Sequence, residues 1–162
     1  FRSSAWHFTS ELEWSHPDVK SDFDYKRWRL VLRRYQKVNR NAMLLLRATW
    51  GDSKGYLPMY KRFYVGGLGT LAGYRHKEFM GDKYWMANAE YRIRFPGHQT
   101  ATGLFWDGAR IANDTPLCNA DIKQNIGIAI YIEDDIKVSV AKRLDSSTED
   151  DAKIYVRLDH IF

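Results

Sequence analysis

The chain has 162 residues, a net charge of +5 and one cysteine, Cys118. That length predicts one domain, and a lone cysteine excludes an internal disulfide or a metal site built on paired cysteines. Mean hydropathy is −0.52, and no run approaches the ~20 apolar residues of a membrane helix. A helical membrane protein is excluded. A membrane β-barrel is not, because its strands alternate lipid-facing and lumen-facing residues and average to a polar composition.

Apolar residues recur with period two along most of the chain, which predicts strands. In the first run Trp6, Phe8, Leu12 and Trp14 oppose His7, Thr9, Glu11 and Glu13. In the second, about 24–37, Trp28, Leu30 and Leu32 alternate with Arg27, Arg29, Val31 and Arg33. The third, about 40–51, has Ala42, Leu44, Leu46, Ala48 and Trp50 on one face and Arg47 and Thr49 on the other. Runs at about 83–95, 101–111, 122–133, 136–144 and 152–162 follow. Among them, Trp85, Ala87, Ala89, Tyr91, Ile93 and Phe95 oppose Asn88, Glu90, Arg92 and Arg94, and Ile126, Ile128, Ile130 and Ile132 share a face.

Most of these eight runs have about ten residues, the length of a tilted transmembrane strand and longer than the average soluble strand of about five or six. Long and short connections alternate. The links around Val38-Asn39, Pro96–Gln99 and Glu133–Asp135 are tight, whereas 16–23, 52–82, 112–121 and 145–151 are long. Short periplasmic turns and long extracellular loops produce that alternation in outer-membrane barrels. The expected fold is therefore all-β: one antiparallel transmembrane β-barrel domain over 1–162, with eight strands and a long loop at 52–82, in a bacterial outer membrane.

Three motifs carry a family resemblance. Leu57-Pro58 precedes Arg62-Phe63-Tyr64-Val65-Gly66-Gly67 and then Gly69-Thr70-Leu71-Ala72-Gly73-Tyr74; Asn88-Ala89-Glu90-Tyr91-Arg92 lies on the next strand, and Phe105-Trp106-Asp107-Gly108 on the one after. They resemble the BamA/TamA superfamily, also called the bacterial surface antigen family. The resemblance covers essentially the whole chain. It implies the last eight strands of a sixteen-stranded barrel, a long loop folded back into the lumen, and a role in inserting or translocating outer-membrane proteins. A structural or anchoring barrel is the alternative.

The residues expected to hold the loop are Gly66, Gly67, Gly69, Gly73, Tyr74 and Arg75, with Glu90 and Asp107 as lumen carboxylates facing it. The glycines permit φ > 0 and sharp turns. Ala72 stands where the family has arginine. Arg75 could reach the carboxylates in its place, or Glu90 could pair with Arg92 or Arg94. Phe162 resembles the C-terminal aromatic signal of outer-membrane proteins. Eight strands can close into a small barrel filled by its own side chains, an interior too small for a tucked loop of this length, which leaves three options. The chain is a piece of a larger barrel, it pairs with a second copy or another chain, or the loop projects outward.

Expected partners are outer-membrane lipid and lipopolysaccharide, with client outer-membrane proteins or other barrel-complex subunits. Nucleic acid is not among them, because Arg and Lys are spread without a dense cluster. The tryptophans at 6, 14, 28, 50, 85 and 106 are expected as aromatic girdles. The lumen arginines 27, 29, 33, 47, 92 and 94 are expected as an anion-selective surface or as ladders with Glu11, Glu13, Glu90 and Asp107. No cofactor or metal is expected, because the histidines at 7, 16, 76, 98 and 160 lack metal-ligand spacing. Gly67-Leu68-Gly69-Thr70-Leu71-Ala72 matches a dinucleotide-binding pattern, but no helix follows it. No Gly-x-Ser-x-Gly elbow is present, and enzyme chemistry is not expected.

Overall fold

A computed structural model describes residues 4–16, 23–113, 115–132, 136–145 and 152–158. The strands are β1 (Ala5–Ser15), β2 (Tyr25–Lys37), β3 (Ala42–Gly55), β4 (Phe63–Val65), β5 (Phe79–Gly81), β6 (Lys83–Arg94), β7 (Thr100–Ala112), β8 (Lys123–Ile132), β9 (Ile136–Arg143) and β10 (Lys153–Leu158). Eight form one sheet in the order β1-β2-β3-β6-β7-β8-β9-β10, and β4 and β5 pair as a separate ribbon. Every neighbouring pair is antiparallel. Among the described residues the sheet is open, with β1 and β10 at its edges.

Period-two alternation decides which face each side chain takes. On β8, Asn125, Ala129 and Tyr131 are buried while Ile126, Ile128, Ile130 and Ile132 are exposed, Ile128 at 59%. A water-soluble sheet buries its isoleucines; this one turns them outward, as a wall facing lipid does. The outward face also carries Trp6, Phe8, Leu12 and Trp14 on β1 and Ile154 and Val156 on β10, all exposed. Four tryptophans lie together towards one end. Trp50 pairs with Trp85 across β3 and β6, Trp28 packs edge-on against Trp50 at 6.2 Å, and Trp14 lies opposite Lys26, two positions before Trp28.

The opposite face holds the polar ladder. Glu11 and Glu13 lie directly across from Arg29 and Arg27 and pair with them at 2.5 and 3.5 Å. The lumen arginines thus meet acidic neighbours at these positions.

β3 extends to Gly55, beyond the end of its apolar alternation near 51, because its ladder with β2 continues through Asp52, Ser53 and Lys54. The long connection therefore runs over 56–82 and contains its own ribbon. That ribbon lies against the polar face of the sheet. Phe63, Val65, Leu71 and Tyr74 from the loop form a core with Tyr84 and Met86 of β6 and Ala109 of β7. Strands from β1 to β10 reach the same loop, so the sheet curls around it and this face is concave. The option of a loop projecting outward is overturned by this packing. Phe162 lies outside the described residues.

Candidate functional site: the loop seat on the concave wall

The loop turns through three glycines with positive φ: Gly66 (+126°), Gly67 (+87°) and Gly69 (+88°). Local bonds fix the turn. The Gly66 amide donates to Thr70 Oγ1 (2.9 Å), and the Gly67 and Thr70 amides donate to the carbonyls of Leu71 and Gly67. Gly73 is a glycine for another reason. A Cβ there would lie 2.7 Å from Asn125 Cβ and 3.2 Å from the Arg143 amide nitrogen, so the backbone of the tip is pressed onto β8 and β9.

Asp107 on β7 receives the tip. Its Oδ2 accepts the Ala72 amide (3.3 Å) and Asn125 Nδ2 (2.9 Å), and its Oδ1 accepts Asn88 Nδ2 (2.7 Å). Asn88 also donates to the Thr70 carbonyl (2.9 Å) and accepts Arg47 Nε (2.9 Å). Arg47 donates in turn to the Gly69 carbonyl. Three strands thus offer side chains to the backbone of the tip, which suits a loop residue with no functional group of its own at position 72.

Tyr74 follows the tip and is almost wholly buried. Its hydroxyl donates to Asp145 and contacts the Gln124 backbone, and its carbonyl accepts the Tyr155 hydroxyl of β10 (2.7 Å). Burial, and then the Asp145 carboxylate, push the Tyr74 hydroxyl well above the ordinary tyrosine range. Arg143 of β9 stacks over the Tyr74 ring at 4.3 Å. It donates to the Gly73 carbonyl (3.1 Å) and grips both oxygens of Glu78 at 2.9 and 2.6 Å. At the base of the loop Lys61 pairs with Glu13 of β1, and Arg27 of β2 lies over the Phe63 ring at 4.4 Å. Every one of the eight wall strands contributes a side chain to the loop seat.

Glu90 faces the same lumen but bonds elsewhere. It accepts Arg92 Nε (2.9 Å) and the Tyr131 hydroxyl (2.5 Å), with Lys137 Nζ at 3.5 Å. The alternative pairing with Arg92 is the one formed. Glu90, Asp107, Arg47 and Ala72 line a cavity of about 290 Å³ below the tip. Arg75 does not take the place of the absent arginine: it is exposed, its amide donates to Glu78 Oε2 (2.6 Å), and among the described residues it bonds neither Glu90 nor Asp107. The cation gripping the loop comes from the wall, at Arg143. Sequence reasoning missed Arg143, Asn125, Tyr155 and Glu78 as seat residues. Only their inward parity, or for Glu78 its place in the loop, pointed to them.

The Omp85 superfamily domain matches residues 3–141, most of the chain. The chain belongs to the Omp85 superfamily. No curated protein matches it significantly. Among solved structures, this Omp85 chain is similar to BamA from Haemophilus ducreyi lacking POTRA domains 1-3. The TM-score is 0.74 at 16% identity, covering 96% of this chain and 38% of that one. At that identity the likeness is one of fold. The chain therefore spans well under half of the structure it matches. It is a BamA/TamA-type outer-membrane β-barrel chain, and its open eight-stranded sheet is the barrel wall.

Proposed function

We propose that this chain is the wall and re-entrant loop of an outer-membrane barrel that inserts or translocates outer-membrane proteins. On this reading residues 1–162 form one barrel domain, completed by further strands, a second copy or another chain. Its partners are client outer-membrane proteins or other subunits of a barrel complex, and lipid including lipopolysaccharide. The function is non-enzymatic: work is done by a wall whose pairing and curvature can change, not by a reactive side chain.

The observation that carries the reading is the loop seat. A lumenal loop bonded to all eight strands braces an open sheet in its curl, so its docking bears on the geometry of both sheet edges. Gly66, Gly67 and Gly69 shape the loop, Gly73 lets the tip approach the wall, and Tyr74 with Asp107 anchors it. Glu90 organises the adjoining wall cations, and Arg75 stays at the loop surface.

One observation favours the second reading, a structural or anchoring barrel without assembly activity: Ala72 stands where the family has arginine. The two readings are separated by replacing Asp107 with Ala in the full-length protein and measuring the folded outer-membrane proteins of the host. A drop with normal levels of the variant itself supports the assembly reading. Unchanged client levels beside a demonstrably loosened loop, measured by protease sensitivity, would refute it and leave the anchor.

A further inference from the structure

The outward face carries its charge at one end. Along its middle, the outward positions of the long strands are apolar apart from Ser10 on β1, among them Leu32, Leu46, Ala87, Leu104, Ile128 and Val140. At the end away from the long loop, the outward strand charge among the described residues is Arg34 alone, which stacks over the Trp6 ring at 4.9 Å. At the long-loop end, five outward positions are cationic: Lys26 on β2, Lys54 on β3, Lys83 on β6, Arg110 on β7 and Lys142 on β9. None has an ion-pair partner among the described residues. Asp52 is the acid on the same strip of wall.

The register sharpens the pattern. Lys26 and Lys54 are direct cross-strand partners, and both are exposed. Like charges directly opposite each other on an antiparallel pair are unfavourable, so the arrangement calls for a counter-anion from outside the chain. The cations are interleaved with the tryptophan belt: Trp14 lies across from Lys26, and Trp85 across from Arg110. Tryptophan settles at the headgroup level of a bilayer. Long cationic side chains anchored there extend towards the phosphates.

We infer that this rim binds the phosphate groups of an anionic lipid in the leaflet at the long-loop end, which in an outer membrane is the phosphorylated glycolipid leaflet. The inference rests on the membrane-barrel reading and gives the lipid a defined seat. The occupant is a phosphate-bearing lipid rather than an acidic protein, because the cations stand on the lipid-facing surface beside the headgroup-level tryptophans.

The test uses the full-length protein refolded into phosphatidylcholine vesicles, with and without bisphosphorylated lipid A. Thermal unfolding is followed by the difference in gel migration between folded and boiled protein. The variant combines Lys26→Gln, Lys54→Gln, Arg110→Gln and Lys142→Gln, whose side chains all stand on the outward face, away from the loop seat. The expected result is a rise in the unfolding midpoint of the wild type with bisphosphorylated lipid A. That rise should shrink in high salt, with dephosphorylated lipid A and in the variant. Equal rises in wild type and variant, or an undiminished rise with the dephosphorylated lipid, would overturn the proposal. If the wild type gives no folded band even in plain vesicles, the membrane-barrel reading itself fails, and the lipid seat with it.

Discussion

Arg143→Gln tests the loop seat most directly. The wild-type guanidinium holds both Glu78 oxygens, the Gly73 carbonyl and the Tyr74 ring. Removing one partner of a fully buried pair costs ~3–5 kcal/mol. Here the two side chains keep 24% and 23% of their exposure, so solvent screening brings the pair to about 2 kcal/mol. The bond to the Gly73 carbonyl adds ~1 kcal/mol. At ~1.4 kcal/mol per decade, loop docking should weaken about 100-fold. Trypsin supplies the assay, because Arg75 and Lys77 sit on the exposed part of the loop and cleavage tracks the open population when opening is fast. The partner variant Glu78→Gln should open the loop by a similar amount. The double variant should cost less than the sum of the two, with a coupling of ~1–2 kcal/mol. Additive effects would mean that the bidentate pair contributes nothing of its own, and the reasoning would be refuted.

Four shorter predictions concern the loop turn, its tip, Tyr74 and the outward face. Gly69→Ala meets no atom within 4 Å and pays only for its left-handed backbone, ~1–2 kcal/mol; Gly69→Asn, which tolerates that conformation, should recover part of the loss in the trypsin assay. Gly73→Ala collides with Asn125 and the β9 backbone, costing ~1–3 kcal/mol, and Gly73→Asn should be worse than Gly73→Ala. Raising the pH should loosen the loop through Tyr74: its hydroxyl titrates higher when docked than when free, so its contribution is complete below the free value of 10.0 and is lost as pH rises beyond it. The unfolding midpoint of Tyr74→Phe should therefore fall less than the wild type's on alkaline titration, and parallel curves would count against the assignment. Ile128→Arg places a charge in the middle of the outward face of β8; in vesicles it should cost ~2–4 kcal/mol, whereas a change on a water-facing surface stays within ~0.5 kcal/mol.

The wall was legible in the sequence because one rule, alternation, fixes strand, face and pairing together. The inward set Asn125, Ala129 and Tyr131 and the outward isoleucines could be sorted without coordinates. The extension of β3 could not, since Asp52, Ser53 and Lys54 are held by backbone pairing to β2, which leaves no apolar trace. The ribbon of β4 and β5 was equally hidden, because three residues are too few to display a period. The seat was half visible. The glycines and Asp107 stand out by type and motif, but Arg143 and Tyr155 read as ordinary inward residues on their strands. Their roles come from a loop some 70 to 80 positions away in sequence, joined to them only when the sheet curls.

Ala72 gives the sharpest test of how this seat works. If its lock were merely a weakened form of one in which a loop arginine meets wall carboxylates, Ala72→Arg should restore it and raise loop stability by several kcal/mol. The bonding of the wall argues otherwise. Asp107 already accepts three donors, from Ala72, Asn88 and Asn125, and Glu90 has Arg92, Tyr131 and Lys137. A new guanidinium in the cavity would find both carboxylates engaged and Arg47 and Arg92 close by. Its Coulomb gain would be offset by repulsion and by the side-chain entropy of ordering it, ~1.5–2 kcal/mol. The expected change in loop protection is therefore under about 1 kcal/mol in either direction. Removing the competing cation should alter that: in an Arg47→Gln background, the same Ala72→Arg change should protect the loop measurably from trypsin. A large gain from Ala72→Arg alone would mean that the carboxylates are not saturated, and that the wall has not taken over the work of the missing arginine.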